Sequence, residues 1–320
     1  MKFEPQSNRP SVAVVVSAFN EEACIQLLVD QLLLLFADEA KYEFSCYLVD
    51  NGSTDCTWRL IQEACHADSR FRGIRLSRNF GTDGGLTAGL SYVQEDACVF
   101  MAADLQDPPA FVGTFLQEWE KGYENVFAVI SERHGSGWLR RLNSQFFYAL
   151  VSVLSEETQP RNVSDFRLLD RRAYTVLRNM PERGRYLRGL SAWMGFASRG
   201  VPLSRPPRVA GKSKASTGEV LRVATRGILS NSTKPLRLIT LVGLASMAGS
   251  LLLIGLLLVL WIVNGVPFAG FGSLVSLNLL TFGALAFMIG IVAEYVGLIY
   301  AETRGRPNFI VSEATFQDMQ

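Results

Sequence analysis

The chain is 320 residues long, and its 31 basic and 30 acidic residues leave a formal net charge of +1. That balance excludes a protein held to nucleic acid by a large basic surface, and the length allows one substantial domain with appendages. The mean hydropathy, +0.17, is high for a soluble protein, and the excess lies after residue 237.

The opening stretch, MKFEPQSNRPS, lacks an apolar core, so no secretory signal is expected in it. Next, the apolar run Ser11–Ser17 predicts a buried strand, followed by the loop AFNEE and an apolar-periodic helix to about Phe36. FSCYLVD predicts a second strand, ending in the turn DNGSTD at Asp50. A helix then leads to a strand around Ile74, to SRNFG, and to a helix through Leu86 to Val93. ACVFMAAD predicts a strand ending at Asp104. Cys24, Cys46, Cys56, Cys65 and Cys98 all fall in this region without Cys-x-x-Cys spacing, and are expected to be reduced thiols. His66 and His134 have no ligand cluster around them in sequence.

Strands alternating with helices predict right-handed βαβ units and an α/β fold with a mostly parallel sheet. Ligands bind such sheets beyond the carboxyl ends of the strands. Asn20-Glu21-Glu22, Asp50-Asn51-Gly52 and Asp104-Leu105-Gln106-Asp107 all fall at those ends. Asp104 and Gln106 offer oxygen ligands suited to a hard divalent cation that neutralises a leaving diphosphate. No Walker sequence is present. For Asp55 and Asp107, capping of the following helices is an alternative role.

Two apolar runs, Leu238–Val263 and Leu274–Tyr300, each exceed the roughly 20 residues needed to cross a bilayer as a helix. The loop between them carries no charge, whereas Arg222, Arg226, Lys234 and Arg237 precede the pair and Arg304 and Arg306 follow it. That pattern predicts a hairpin with both ends in the cytoplasm. Glu294, late in the second run, is expected near the interface. Val220, Ala224 and Ile228 share one face of a basic amphipathic helix suited to a membrane surface. The aromatic and basic segment from Trp138 is a second candidate for the interface. The expected divisions are a domain over 1–215, an interfacial helix over 216–237, two spans over 238–300 and a tail over 301–320.

The stretches VSAFNEE, LVDNGSTD, LSRNFG, AADLQDPP, SDFRLLDR, RGLSAWMGF, RVAGKSK and IVAEYVGLIYAETRGRP run in one order through nearly the whole chain. In this the sequence resembles the family 2 glycosyltransferases of GT-A (Rossmann-like) fold, most of all the polyprenyl-phosphate glycosyltransferases. That group includes the GtrB-type bactoprenol glucosyltransferases and the dolichyl-phosphate mannose synthases. The resemblance implies nucleotide contacts from Ser17, Phe19, Glu21, Asp50 and Asn51. It implies Mg²⁺ or Mn²⁺ held by Asp104 and Gln106, with Asp104 and Asp165 as the catalytic carboxylates. Arg133, Arg140, Ser144, Arg208, Ser213 and Lys214 match the family's acceptor-phosphate region.

The departures are Ser17 where the family has Pro, Asn51 where it has Asp, and Ala102 in place of the first acid of the metal motif. The implied reaction moves a hexose, glucose from UDP-glucose, to undecaprenyl or another polyprenyl phosphate with inversion. The implied setting is a multi-pass protein of the inner membrane, its catalytic domain in the cytoplasm, without nucleic acid and assembled as a homo-oligomer, a tetramer. A processive polysaccharide synthase would carry Gln-x-x-Arg-Trp, where this chain has RGLSAW from Arg188. A non-catalytic nucleotide-sugar-binding scaffold is the other alternative.

Overall fold

The computed structural model describes residues 9–130, 163–183, 185–205, 234–264 and 270–316. These divide into two units, one of residues up to 130, 163–205 and 305–316, the other of residues 234–304.

The first unit is built on eight strands: β1 (Ser11–Ala18), β2 (Glu43–Asp50), β3 (Phe71–Leu76), β4 (Ala97–Ala102), β5 (Asn125–Ile130), β6 (Val163–Asp170), β7 (Ser198–Leu203) and β8 (Val311–Ala314). They form one sheet in the order β7-β5-β6-β4-β1-β2-β3-β8. β1 pairs in parallel with β2 and β4, β2 with β3, and β5 with β7. β6 is antiparallel to both β4 and β5, and β8 is antiparallel to β3. Val12 to Val16 on β1 are buried on both faces, as a β-branched run in the middle of a covered parallel sheet requires.

Helices cover both faces. α1 (Glu22–Asp38) and α2 (Thr57–Ala67) follow β1 and β2, and α4 (Val112–Glu120) follows a 3-10 turn at Pro109–Phe111. The core on that side joins Val12, Val14 and Val16 to Leu28, Leu32, Trp58, Ile61 and Phe115. On the other face α3 (Gly81–Leu90) and α5 (Arg171–Asn179) pack with Ala13, Val15, Val49, Leu86, Tyr174 and Leu177. α3 lies so close to the sheet that a Cβ on Gly89 would strike Val15, with Val49 3.1 Å away. Asp170 caps α5 by accepting from Arg172 N at 2.9 Å. α6 (Leu187–Trp193) is a short helix whose Leu187 packs into the same core.

The second unit contains α7 (Lys234–Asn264) and α8 (Phe271–Thr303). Within α8, Thr281–Thr303 is long and apolar enough to cross a membrane, and it is the one such segment among the described residues. Its apolar side chains are exposed, Phe282 and Phe287 by about 70%. The first expected span falls on α7, an unbroken helix.

Several boundaries differ from those expected. β4 ends at Ala102, not Asp104, because Leu105 turns the chain with φ 59°. α3 begins at Gly81 and ends at Leu90, where Ser91 caps it. The expected tail after residue 300 is in part sheet, since β8 adds the edge strand beside β3. The interfacial segments around Trp138 and 216–233 lie outside the described residues.

Candidate active site

The loops after β1 and β2 are laced together. Asn20 takes the left-handed conformation (φ 53°), which asparagine tolerates better than most residues. Its backbone N–H donates to Ser53 Oγ at 2.9 Å, and its side-chain oxygen accepts from Thr54 N at 2.9 Å. Glu21 N donates to Thr57 Oγ1, and Glu22 accepts from Cys56 N, both at 2.9 Å. Asp55 accepts from Thr57 N at 3.0 Å and from Glu22 N at 3.3 Å, just ahead of α2, whose N-cap position is Cys56. Burial pushes the Asp55 carboxyl up, but these backbone and hydroxyl donors outweigh it and hold the group below its ordinary value. Gly52 takes φ 71°, and a Cβ there would stand 2.5 Å from the Arg78 carbonyl carbon. The turn therefore needs glycine for both its conformation and its closeness to Arg78.

Asp50 ends β2 and is fully buried. One carboxylate oxygen accepts from Ser53 N at 3.0 Å, while the other lies 3.3 Å from Arg75 Nε without a hydrogen bond. A buried acceptor oxygen with charge compensation but no donor is costly unless a ligand supplies one. Asn51, beside it, is turned inward. Its amide donates to Gly81 O at 2.7 Å and accepts from Phe80 N at 2.9 Å, fastening the start of α3. Ser17 also faces α3, with Oγ against Gly85.

Asp104 and Gln106 follow β4, which pairs with β1 up to Ser17↔Ala102, so they stand at the same sheet edge. Asp104 accepts from Gln106 N at 3.2 Å within the turn. Asp107 is buried and takes two hydrogen bonds from Arg205, at 3.0 and 2.7 Å; Arg205 also donates to Ser164 Oγ. Burial raises the Asp107 carboxyl despite Arg205. Asp107 thus anchors the segment after β7, a role that neither capping nor metal binding anticipates.

β6 runs antiparallel to β4, so its first residues stand beside the carboxyl end of β4. There Asp165 is gripped by Arg188, which donates from Nε at 3.0 Å and from a terminal nitrogen at 2.7 Å. Burial pushes the Asp165 carboxyl up, but the Arg188, Arg167 and Arg205 charges outweigh it and leave it below its ordinary value. Arg167 is buried deeply enough to be pushed down to about 10. Asp83, on the first turn of α3, accepts from Leu187 N at 3.3 Å, next to the arginine that holds Asp165. Burial and then the Asp165 charge push Asp83 up to about 7.

Residues 13–178 match the model of Glycosyl transferase family 2. The chain belongs to glycosyl transferase family 2. It is 33% identical over 300 residues to the bactoprenol glucosyl transferase of Shigella phage SfX, covering 94% of this chain and 98% of that protein. It is 32% identical over 302 residues to the glycosyltransferase YkcC of Bacillus subtilis, covering 94% and 93%. Glucosyl-3-phosphoglycerate synthase of Mycobacterium tuberculosis, solved with Mn²⁺, UDP-glucose and phosphoglyceric acid, matches with a TM-score of 0.50 at 20% identity, over 69% of this chain and 78% of that one. The fold is GT-A.

In this family 2 chain the structure brings the loop after β1, with Phe19 and Glu21, against the Asp50 turn, and sets Asp104, Gln106 and Asp165 along the same sheet edge. Ser17 and Asn51 face α3, on the opposite side of the sheet from the Asp50 carboxylate. The expected acceptor residues Arg133, Arg140, Ser144, Arg208, Ser213 and Lys214 lie outside the described residues. Sequence reasoning passed over Arg75, Asp83, Arg188 and Arg205 as site residues. Arg188 had a signal, since it opens the matched stretch RGLSAWMGF; the other three emerge only from pairings across strands and loops.

Proposed function

We propose that this glycosyltransferase moves glucose from UDP-glucose to undecaprenyl or another polyprenyl phosphate at the cytoplasmic face of the inner membrane. The observation that carries the reading is the Asp50 carboxylate oxygen, buried, beside Arg75 and without a hydrogen bond. A uracil N–H is a donor of the kind that oxygen lacks. Phe19 and Glu21 lie in the loop after β1, which is hydrogen-bonded to the segment just after Asp50, while Ser17 and Asn51 lie on the opposite face of the sheet, against α3.

Asp104 and Gln106 would hold Mg²⁺ or Mn²⁺, which would neutralise charge on the leaving diphosphate. Among the described residues no group of three His, Cys, Asp or Glu side chains forms a complete protein cage. Two oxygen ligands fit a cation that takes the rest of its shell from diphosphate and water. The Mn²⁺ and UDP-glucose in the mycobacterial synthase of similar fold support this.

A phosphate monoester acceptor is already anionic near neutral pH, so no strong base is required. Asp165, locked by Arg188 and ionised, orients the sugar and acceptor. Attack opposite the leaving diphosphate inverts the anomeric carbon, and the gain comes from alignment and charge neutralisation. Arg133, Arg140, Ser144, Arg208, Ser213 and Lys214 are assigned to the acceptor phosphate by resemblance, arginine suiting it through bidentate contact. α7 and α8 are read as two spans holding the domain where the lipid headgroup lies.

The test is a panel of nucleotide-hexoses incubated with the purified protein and undecaprenyl phosphate, reading the lipid product by mass spectrometry. The expected result is a glucosyl lipid formed from UDP-glucose and abolished by chelator. Absence of a lipid product with every donor would overturn the proposal and leave the processive synthase and the non-catalytic scaffold as the surviving readings.

A further inference from the structure

Asp50, Arg75 and Glu313 form one lateral row across three strands. Asp50 is the register partner of Arg75 in the parallel β2–β3 pair, and Arg75 is the register partner of Glu313 in the antiparallel β3–β8 pair. Directly opposed residues point to the same face of a sheet, here the face covered by α2. Glu313 accepts from Trp58 Nε1 and from Gln62 Nε2, both on α2 and both at 3.1 Å. The Arg75 guanidinium lies 5.9 Å from the Trp58 ring centre and 3.3 Å from Asp50. A chain of contacts thus runs from β8 to the Asp50 carboxylate oxygen that is buried without a hydrogen bond.

The strand is firmly seated. Gly73 N donates to Thr315 Oγ1 at 2.9 Å, Thr315 N donates to Gly73 O at 3.0 Å, and Ser77 N donates to Ile310 O at 2.9 Å. Ser312 Oγ donates to Arg75 O at 3.1 Å. Phe316 packs edge-on against Tyr47 and Tyr92. Without β8, β3 would be the edge and Arg75 would be held by Asp50 and the indole alone.

We infer that Glu313, on the strand after the last apolar helix, is a positioning residue for the donor site. Glu313 fixes the Trp58 indole, the indole fixes the Arg75 guanidinium, and Arg75, 3.3 Å from Asp50, keeps that carboxylate aimed at the nucleobase. Glu313 does not itself touch the donor. The inference rests on the reading of Asp50 as the nucleobase acceptor.

The test uses the full-length protein in detergent, with UDP binding measured by calorimetry and donor and acceptor kinetics measured separately. Glu313→Ala is expected to weaken UDP binding about five- to tenfold, the equivalent of one lost hydrogen bond in the chain of contacts. The donor KM should rise by the same factor, with kcat and the acceptor KM unchanged. Glu313→Gln, which still accepts from Trp58, should recover most of the affinity. Thr315→Val is the structural control: it removes the hydroxyl that holds Gly73, and should lower the melting temperature while UDP affinity holds. Glu313→Ala protein that is folded and binds UDP within twofold of the parent overturns the inference alone. So does a loss of affinity equalled by Thr315→Val at the same loss of melting temperature. A parent protein that binds neither UDP nor UDP-glucose overturns the nucleotide reading, and this inference with it.

Discussion

Asp83 and Asp165 sit beside the same arginine-bearing segment, yet their protons are held very differently. Asp165 is ionised at neutral pH because Arg188 clasps both its oxygens, whereas Asp83, pushed up to about 7 by burial and by its neighbour's charge, is close to half-protonated. A carboxyl raised in the folded state contributes stability on the acid side, present in full below its unfolded value and lost as pH rises through about 7. Asp83→Asn removes that dependence. Its melting temperature in detergent should exceed the parent's above about pH 7 and change less between about pH 5 and 8; a parent-like pH profile would contradict the assignment. Asp165 has the opposite sign, its contribution fading as pH falls. At the turn proposed to hold the cation, Asp104→Asn should lower turnover by roughly a hundredfold or more, the scale of several kcal/mol lost from charge neutralisation. UDP affinity without metal should change little, since Asp50 is untouched. Near-parental turnover by a folded variant would move the cation elsewhere.

Among the elements, α3 shows how closely the sheet is covered. Gly89→Ala would drive a methyl into Val15 and Val49, with an expected loss of about 1–3 kcal/mol in denaturant unfolding. A variant as stable as the parent would mean that the helix can lift without cost. The alternation of buried strand and periodic helix made β1 to β4 legible before the structure, because a covered parallel sheet writes itself as runs of Val, Leu and Phe. The Asp50 turn and the Asp104 turn were legible for the same reason, since chain direction alone puts both at one sheet edge. β8 was not. Its four residues, VSEA, follow an apolar helix of thirty-three residues, and their partner β3 lies far back in the chain. Nor could spacing reveal that Asp107 would be spent on Arg205, or Asn51 on the backbone of Phe80 and Gly81. Such roles depend on which loop folds back onto which.

For the molecule as a whole, the charge asymmetry around the apolar helices gives a topological expectation. In a background free of the five native cysteines, a cysteine replacing Asn264 should react with a membrane-impermeant thiol reagent in intact cells. One replacing Arg306, which is exposed and lies between α8 and β8, should react only after lysis. The reverse pattern would invert the protein in its membrane. Thr315 would be a poor reporter, because its hydroxyl is engaged by Gly73 in the sheet.

The pairing of Gly73 with Thr315 spans 242 residues of sequence. During synthesis the first seven strands leave the ribosome long before the eighth. Until Val311–Ala314 emerge, β3 presents an open row of backbone donors and acceptors, the kind of edge that recruits strands from other chains. Closure of that edge must await the making of both apolar helices. A ribosome that stalls between residues 264 and 310 would therefore leave a sheet with an adhesive border, and the codons for Val311–Ala314 decide whether that border is covered or left to seed aggregation.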